Sequence, residues 1–423
     1  MIESKNSEIE KVVNFFQEKE YENSINLANN ILLDEQSKLF VQNILALSLK
    51  NIGKRKEAID LLNSIIKDHP KEGYLYSNLG NIFLSDGKLN EALKYFKLAI
   101  KYNPKLENAF NGLGAALTEL GKLKEALEVY KEALNITKNP KNLHYNIANI
   151  YRKLDIYDKA ASHYSKTDVL LSSSHHLECL YLMDKKEDFI VNLEKLEKEE
   201  VLTSLASSLS THSRIRYELD KKYSFCDNPF SYVYSRNLIN DKVISTENID
   251  NFSNEVNSLN LDFKDQALLN GGNQSAGNIF LYENKNITNI KKIITDEINL
   301  YRNNFKDSLD KYISFWPDDT KLFGWIIKIR SGGNLDAHIH KEGWLSGSLY
   351  LELPKSRKQN EGAISFGLHG ANYPTMGKIF KSHPIQITNG MICMFPSSLF
   401  HQTIPFQSSQ KRISLAFDVV PIK

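Results

Sequence analysis

The sequence predicts an α+β multidomain protein. An all-α solenoid of stacked helix pairs spans residues 1–190, a helical linker 191–225, and a β-rich jelly roll 226–423. Three observations carry this reading. Small and bulky residues recur every 34 positions between residues 37 and 167. From residue 225 the helical spacing of apolar residues gives way to short β-rich runs broken by Gly, Pro and Asn. In that second part, His338 and His340 stand two residues apart in one run, and His401 follows 61 residues after His340.

The repeats come first, because self-similarity at a fixed period marks an array of identical supersecondary units. Gly80 has Ala46 34 residues before it, and Gly114 and Ala148 at the next two steps after it. These are small residues at a slot where two helices pack closely. Twelve residues further on, Ala58, Ala92, Ala126 and Ala160 keep the same spacing, and four residues beyond them stand Leu62, Phe96, Tyr130 and Tyr164. Pro70 and Pro104 are also 34 apart, where a proline ends the second helix of each pair. Pro140 comes two residues late, so a small insertion is expected at that junction. This phased pattern resembles the tetratricopeptide repeat family. The segment with Phe15, Phe16, Leu27 and Ile31 reads as a degenerate first repeat, and Leu177 to Leu193 as a fading last one, giving about five helix pairs. The resemblance implies a concave groove that holds a protein or peptide partner.

Beyond CDNPFSYVYSRNL the texture changes. GGNQSAGNIFLYEN reads as a loop followed by a strand, and NITNIKKIITDEINLYRNNF as one amphipathic helix. The runs KLFGWIIKIR, HIHKEGWLSGSLYLELP, GAISFGL, HPIQITNGMICMFP and KRISLAFDVVP follow. Strands of that length between turn residues are the mark of an antiparallel sandwich or jelly roll.

SGGNLDAHIHKEGWLSGSLYL is the centre of the chemistry. Residues two apart in a strand point to one side, so His338 and His340 face together. Neutral imidazoles on one face are ready ligands for a transition metal. His401 stands after a tight turn in FPSSLFHQTIPF, and 11 residues later comes Arg412, with Ser414 on its own side of the strand.

These elements, in this order, resemble the double-stranded β-helix of the Fe(II)/2-oxoglutarate-dependent oxygenases. Gly332 and Gly333 precede His338 as a Gly-Gly turn precedes that family's first metal histidine. His401 matches its distal histidine, and Arg412 matches the arginine that binds the cosubstrate. An Arg-x-Ser pairing such as Arg412 with Ser414 occurs in some members, and Tyr350 falls where prolyl-hydroxylase-like members place a tyrosine near oxoglutarate. A wider pattern of oxygenase-like sequences is carried by His338, His340, Ser346, Gly347, Tyr350, Phe395, Pro396, Ser397 and His401. The resemblance implies Fe(II) and 2-oxoglutarate as cofactor and cosubstrate, with Arg412, Ser414, Tyr350 and Ser346 as candidate cosubstrate contacts. Iron needs a partial ligand set that leaves positions open, and the cosubstrate's distal carboxylate needs the fork of donors that Arg provides and Lys does not.

One departure stands out. The family's usual carboxylate lies two residues after the first histidine, and here that slot is His340. Three arrangements compete: a centre of His338, His340 and His401; a pair of His340 and Glu342 with His338 outside; or His338 and His401 completed by water. His369 and His383 read as structural, and Trp316, Trp325 and Trp344 as core or pocket walls.

Composition bounds the rest. A net charge of +2, with basic residues spread among acids, argues against a nucleic-acid partner. No stretch approaches the roughly 20 apolar residues of a membrane span, and the start of the chain has acids where a leader peptide is basic. Cys179, Cys226 and Cys393 are too scattered for a disulfide framework or a zinc site. A cytoplasmic dioxygenase is the leading expectation, a hydroxylase whose protein substrate the repeats recognise. The alternatives are a non-catalytic repeat scaffold with a degenerate jelly roll, and a three-histidine thiol dioxygenase that uses no oxoglutarate.

Overall fold

The computed structural model describes residues 2–422 except 32–34, 170, 221–222, 260, 262, 265, 283 and 355–357. They form two compact units, Met1–Val169 and Leu170–Lys423.

The first unit is ten helices in five antiparallel pairs. They are α1 (Ile2–Gln17), α2 (Tyr21–Asn30), α3 (Glu35–Asn51), α4 (Arg55–Asp68), α5 (Gly73–Ser85), α6 (Leu89–Tyr102), α7 (Glu107–Glu119), α8 (Leu123–Leu134), α9 (Lys141–Lys153) and α10 (Tyr157–Tyr164). The small slots have a direct steric cause. A Cβ on Gly80 would lie 2.7 Å from the Phe96 ring, and one on Gly114 only 2.4 Å from the Tyr130 ring. Each small residue therefore makes room for the bulky residue 16 positions later on the partner helix. Ala58, Ala92, Ala126 and Ala160 are fully buried. A further period shows in the backbone: Lys19, Gly53, Gly87, Gly121 and Asp155, each 34 apart, all have positive φ in the turn inside a pair. Phe16, Leu27 and Ile31 pack against the core of the first pairs.

The insertion expected at Pro140 does not occur. Helices α5, α7 and α9 start at 73, 107 and 141, a constant 34 apart. Instead α8 stops early, and Thr137 donates from Oγ1 to Glu107 (2.7 Å). Pro140 caps α9, where its missing N–H costs nothing.

The second unit opens with α11 (Ser172–Leu182), α12 (Lys186–Lys198) and α13 (Ser204–Tyr217). A 3-10 turn at Pro229–Tyr232 leads to β1 (Tyr234–Asn237), α14 (Thr246–Ser258), β2 (Phe263–Lys264) and β3 (Leu269–Ser275). Then come α15 (Lys285–Asn304), the single turn α16 (Lys311–Ser314), β4 (Thr320–His338), β5 (Leu345–Glu352), β6 (Ile364–Gly367), β7 (Ser382–Ile385), β8 (Met391–Pro396), β9 (Phe400–Thr403) and β10 (Arg412–Pro421).

The strands are antiparallel and run β1-β8-β5-β10-β4-β9-β6-β7, with β2 and β3 added beside β4. This curled half-barrel is a jelly-roll arrangement. Strand β4 joins its two halves: it pairs with β10 over Thr320–Ile329 and with β9 at Leu335 and His338. The passage runs through Gly332 (φ 77) and Gly333, where a Cβ on Gly333 would lie 2.6 Å from the Asn270 carbonyl. Only glycine lets β3 approach β4 that closely.

Two local readings are corrected. GGNQSAGNIFLYEN is strand first and turn second: the Gly and Asn residues form β3 by pairing with β4, while Ile279–Leu281 is a 3-10 turn that buries Ile279 and Phe280. A second helix, α14, flanks the sheet beside α15, with a capping box of Ser245 and Asn248 and buried Ile249, Phe252 and Val256. Helices α11 and α13 belong to the same core, with Leu177, Tyr181, Leu205 and Leu209 clustered with Phe225, Trp344 and Leu345.

Candidate metal centre

His338 ends β4 and faces His401 of β9 directly across the ladder. His340 lies just beyond β4, its backbone N–H bonded to the Ser397 carbonyl (3.1 Å). One ligand atom from each of the three histidines falls within 4.8 Å of the others; among the described residues this is the one such group, and it contains no carboxylate. The Nε2 atoms of His338 and His340 are 3.2 Å apart.

The opposite ring nitrogens decide what this cluster can do. Nδ1 of His338 lies 2.8 Å from the Asp336 carbonyl, and Nδ1 of His401 lies 3.2 Å from the Leu399 carbonyl. Nδ1 of His340 is 2.6 Å from Oδ1 of Asp418. A carbonyl only accepts, so each Nδ1 carries the proton and each Nε2 keeps its lone pair. Burial, reinforced by the neighbouring imidazoles, pushes the pKa of His338 down to about 4 and that of His401 well below its usual value. Both are therefore neutral near pH 7. Three imidazoles gathered this closely make a donor set for a divalent transition metal that leaves further positions open.

The histidines line a cavity of about 270 Å³, together with Trp325, Tyr350, Phe395, Thr403, Arg412, Ser414 and Asp418. Arg412 is 3% exposed, and its guanidinium lies 5.1 Å from the centre of the Tyr350 ring. Its Nε donates to the Gly362 carbonyl (3.3 Å) and its Nη1 reaches Ser414 Oγ (3.5 Å). The Tyr350 hydroxyl is buried without a hydrogen-bond partner. A cation beside an orphaned phenol in a pocket wall is a cradle for a carboxylate.

The structure thus brings His338, His340, His401, Tyr350, Arg412 and Ser414 around one cavity. Two other expected residues are placed elsewhere. Glu342 is exposed, outside the histidine cluster, and lines a neighbouring opening with Lys321, Lys341 and Phe323. Ser346 is buried behind His340, with its Oγ 2.7 Å from Asp418 and from Ser397. Trp344 is a core residue whose Nε1 donates to the Tyr312 carbonyl (3.0 Å), and His369 pairs with His212 (3.0 Å).

Two contributors escaped the sequence reading. Asp418 had a weak signal: an acid in the apolar run RISLAFDVVP, in step with Arg412 and Ser414 on alternate positions. Glu178 had none. It is 3% exposed on α11, and it binds Lys341 (2.7 Å) and the Tyr373 hydroxyl (2.8 Å), fixing the residue next to His340.

Residues 324–418 match the family described as "Putative 2OG-Fe(II) oxygenase". Residues 80–121 and 116–155 match a TPR repeat family, and 44–72 a tetratricopeptide repeat family. Among solved structures, the chain is similar to pilF of Pseudomonas aeruginosa, at 15% identity and a TM-score of 0.41, over 46% of this chain and 91% of that one. It is also similar to a thermophilic TPR protein of Thermus thermophilus, at 18% identity and a TM-score of 0.36, over 42% of this chain and 98% of that one. No curated protein matches the chain. No helix among the described residues is long and apolar enough to cross a membrane.

Proposed function

We propose that this chain, tetratricopeptide repeats followed by a domain of the 2OG-Fe(II) oxygenase family, is a dioxygenase that hydroxylates a protein or peptide held by the repeats. The observation that carries this reading is the pairing of two features in one cavity. The three histidines bring one ring nitrogen each within 4.8 Å of the others, and Arg412 lies beside the unpaired Tyr350 hydroxyl.

His338, His340 and His401 would hold Fe(II). Arg412 would grip the distal carboxylate of 2-oxoglutarate, the Tyr350 hydroxyl would donate to it, and Ser414 would steady the guanidinium. Together with O2, the iron and the cosubstrate supply the oxidising chemistry, in which oxoglutarate leaves as succinate and CO2 and one oxygen atom goes to the substrate. The protein's own contribution is placement and exclusion of water. Phe395, Trp325 and Ile327 wall the cavity, and a dry wall strengthens every charge interaction inside it. Stacked helix pairs leave a concave face suited to an extended chain, which supports a protein or peptide as the substrate class.

The test is metal content with succinate formation. Wild type should take up one Fe(II) or Co(II) per chain and convert oxoglutarate to succinate. His401→Ala should lose the metal, since a full site is worth roughly 10 to 16 kcal/mol and one of three ligands is a large share of it. Glu342→Ala should keep it. Undiminished metal in His401→Ala would end this reading. Loss of metal in Glu342→Ala would reassign the second ligand.

A further inference from the structure

The three-histidine cluster poses a question of charge. A carboxylate ligand would bring one negative charge to a divalent ion, and three neutral imidazoles bring none. Among the described residues the cluster holds no acid. An acid does stand directly behind it. Oδ1 of Asp418 lies 2.6 Å from Nδ1 of His340, on the side of the ring away from Nε2. The same oxygen accepts from Ser346 Oγ (2.7 Å), and Ser346 Oγ is 2.7 Å from Ser397 Oγ.

Everything around that carboxylate holds it still. Asp418 lies within β10, paired with Phe323 of β4 on one side and Ser346 of β5 on the other. Ser346 is 1% exposed and Ser397 is fully buried. Ser397 also uses its carbonyl to hold the His340 backbone (3.1 Å). Gly343 leaves room for this arrangement, since a Cβ there would lie 2.5 Å from Ser397 Oγ. The Trp325 ring covers His340 with centroids 5.5 Å apart. The carboxylate, the two hydroxyls and the ring thus form one connected array behind Nε2 of His340.

We propose that Asp418 is the positioning residue of this centre, and that it returns from one shell further out the negative charge that a carboxylate ligand would have supplied. This rests on the reading of His338, His340 and His401 as metal ligands. By accepting the Nδ1 proton, Asp418 holds His340 in the tautomer whose Nε2 is free. By lending negative charge to the ring, it makes that nitrogen a stronger donor. A carboxylate behind a metal-binding imidazole raises its basicity, and loss of such a partner costs about 10- to 100-fold in metal affinity.

Asp418→Asn separates charge from shape, because the amide oxygen still accepts the Nδ1 proton. We expect Co(II) and Fe(II) affinity of the full chain, measured by chelator competition, to fall about 10- to 100-fold in Asp418→Asn. The Fe(III)/Fe(II) midpoint potential should move to more positive values, since less negative charge disfavours Fe(III). Ser346→Ala, which keeps the carboxylate but removes one of its donors, should move the potential by less than Asp418→Asn does. In a His340→Ala background, Asp418→Asn should cause no further loss of affinity, because Asp418 acts through His340. Thermal melts of the metal-free variants check that each one folds. Wild-type affinity and potential in Asp418→Asn would overturn the proposal, as would an equal loss in the His340→Ala background. His401→Ala tells the two levels apart. If it keeps its metal, the metal-centre reading itself falls; if it loses metal while Asp418→Asn does not, only the role of Asp418 falls.

Discussion

Arg412 and Tyr350 meet where β10 and β5 run side by side, with Ser414 opposite Tyr350 in the ladder. At that point the sequence can be read residue by residue. Arginine presents a planar fork that grips both oxygens of a carboxylate, whereas lysine presents a single point charge. Arg412→Lys should therefore keep the fold and the metal while the oxoglutarate KM rises about tenfold or more, for a loss of roughly 1.5 to 3 kcal/mol. Initial rates of succinate formation against oxoglutarate concentration measure this, and an unchanged KM would place the distal carboxylate elsewhere. His338 and His340 were legible as a pair two residues apart, although β4 ends at His338 and His340 lies just beyond it. His401 was legible as a type of residue in a type of turn, but its position directly opposite His338 depends on the register of β4 and β9. Ser346 shows the reverse. Its place in the pattern suggested a cosubstrate contact, and its partners turn out to be Asp418 and His340.

Single elements differ in how well their own residues specify them. The repeat helices are specified twice, by the apolar stripe and by the small slots. That leads to a prediction about Gly114. Alanine at a helical position gains up to about 1 kcal/mol over glycine. Here the added Cβ would meet a Tyr130 ring that is 2% exposed and has little room to swing. Overpacking of that kind costs about 1 to 3 kcal/mol, so the clash wins. Gly114→Ala should lower the melting temperature of the repeat unit, and adding Tyr130→Leu should recover most of the loss, as in the pair where Ala46 shares a cluster with Leu62. A Gly114→Ala protein as stable as wild type would refute the steric account of the slot. The β3 strand shows the opposite case. Leu269–Ser275 contains two glycines and no β-branched residue, and it is a strand because β4 offers a ladder beside it. Propensity in a strand is largely a matter of neighbours, which a local reading does not see. Helix α14 was within reach, since its capping box and its buried residues at helical spacing both stand in the sequence.

At the scale of the whole molecule, the notable fact is that the second unit begins before its first strand. Helices α11 and α13 place Leu177, Tyr181, Leu205 and Leu209 in the same core as Trp344 and Leu345. They also reach the loop that carries His340. Glu178 binds Lys341 (2.7 Å), and Ser204 donates to the Gly343 carbonyl (2.6 Å). A fragment of residues 170–423 should therefore stay soluble and bind metal as the full chain does. One of residues 220–423 should expose that apolar surface, leave Lys341 without its buried partner, and aggregate or lose metal affinity. Gel filtration with metal titration compares the two, and equal behaviour would show that the helices are dispensable. The sequence by itself determined the 34-residue array, the β-rich second half, and the histidine and arginine types at the site. All of these follow from periods that run along one chain, 3.6 residues for a helix, 2 for a strand and 34 for a repeat. Tertiary structure alone decided that Asp418 backs His340, that Glu342 stays outside the cluster, and that a glutamate on α11 anchors the loop that carries His340. Those facts rest on contacts between residues 78 and 163 positions apart, and no local period encodes a pairing across such a distance.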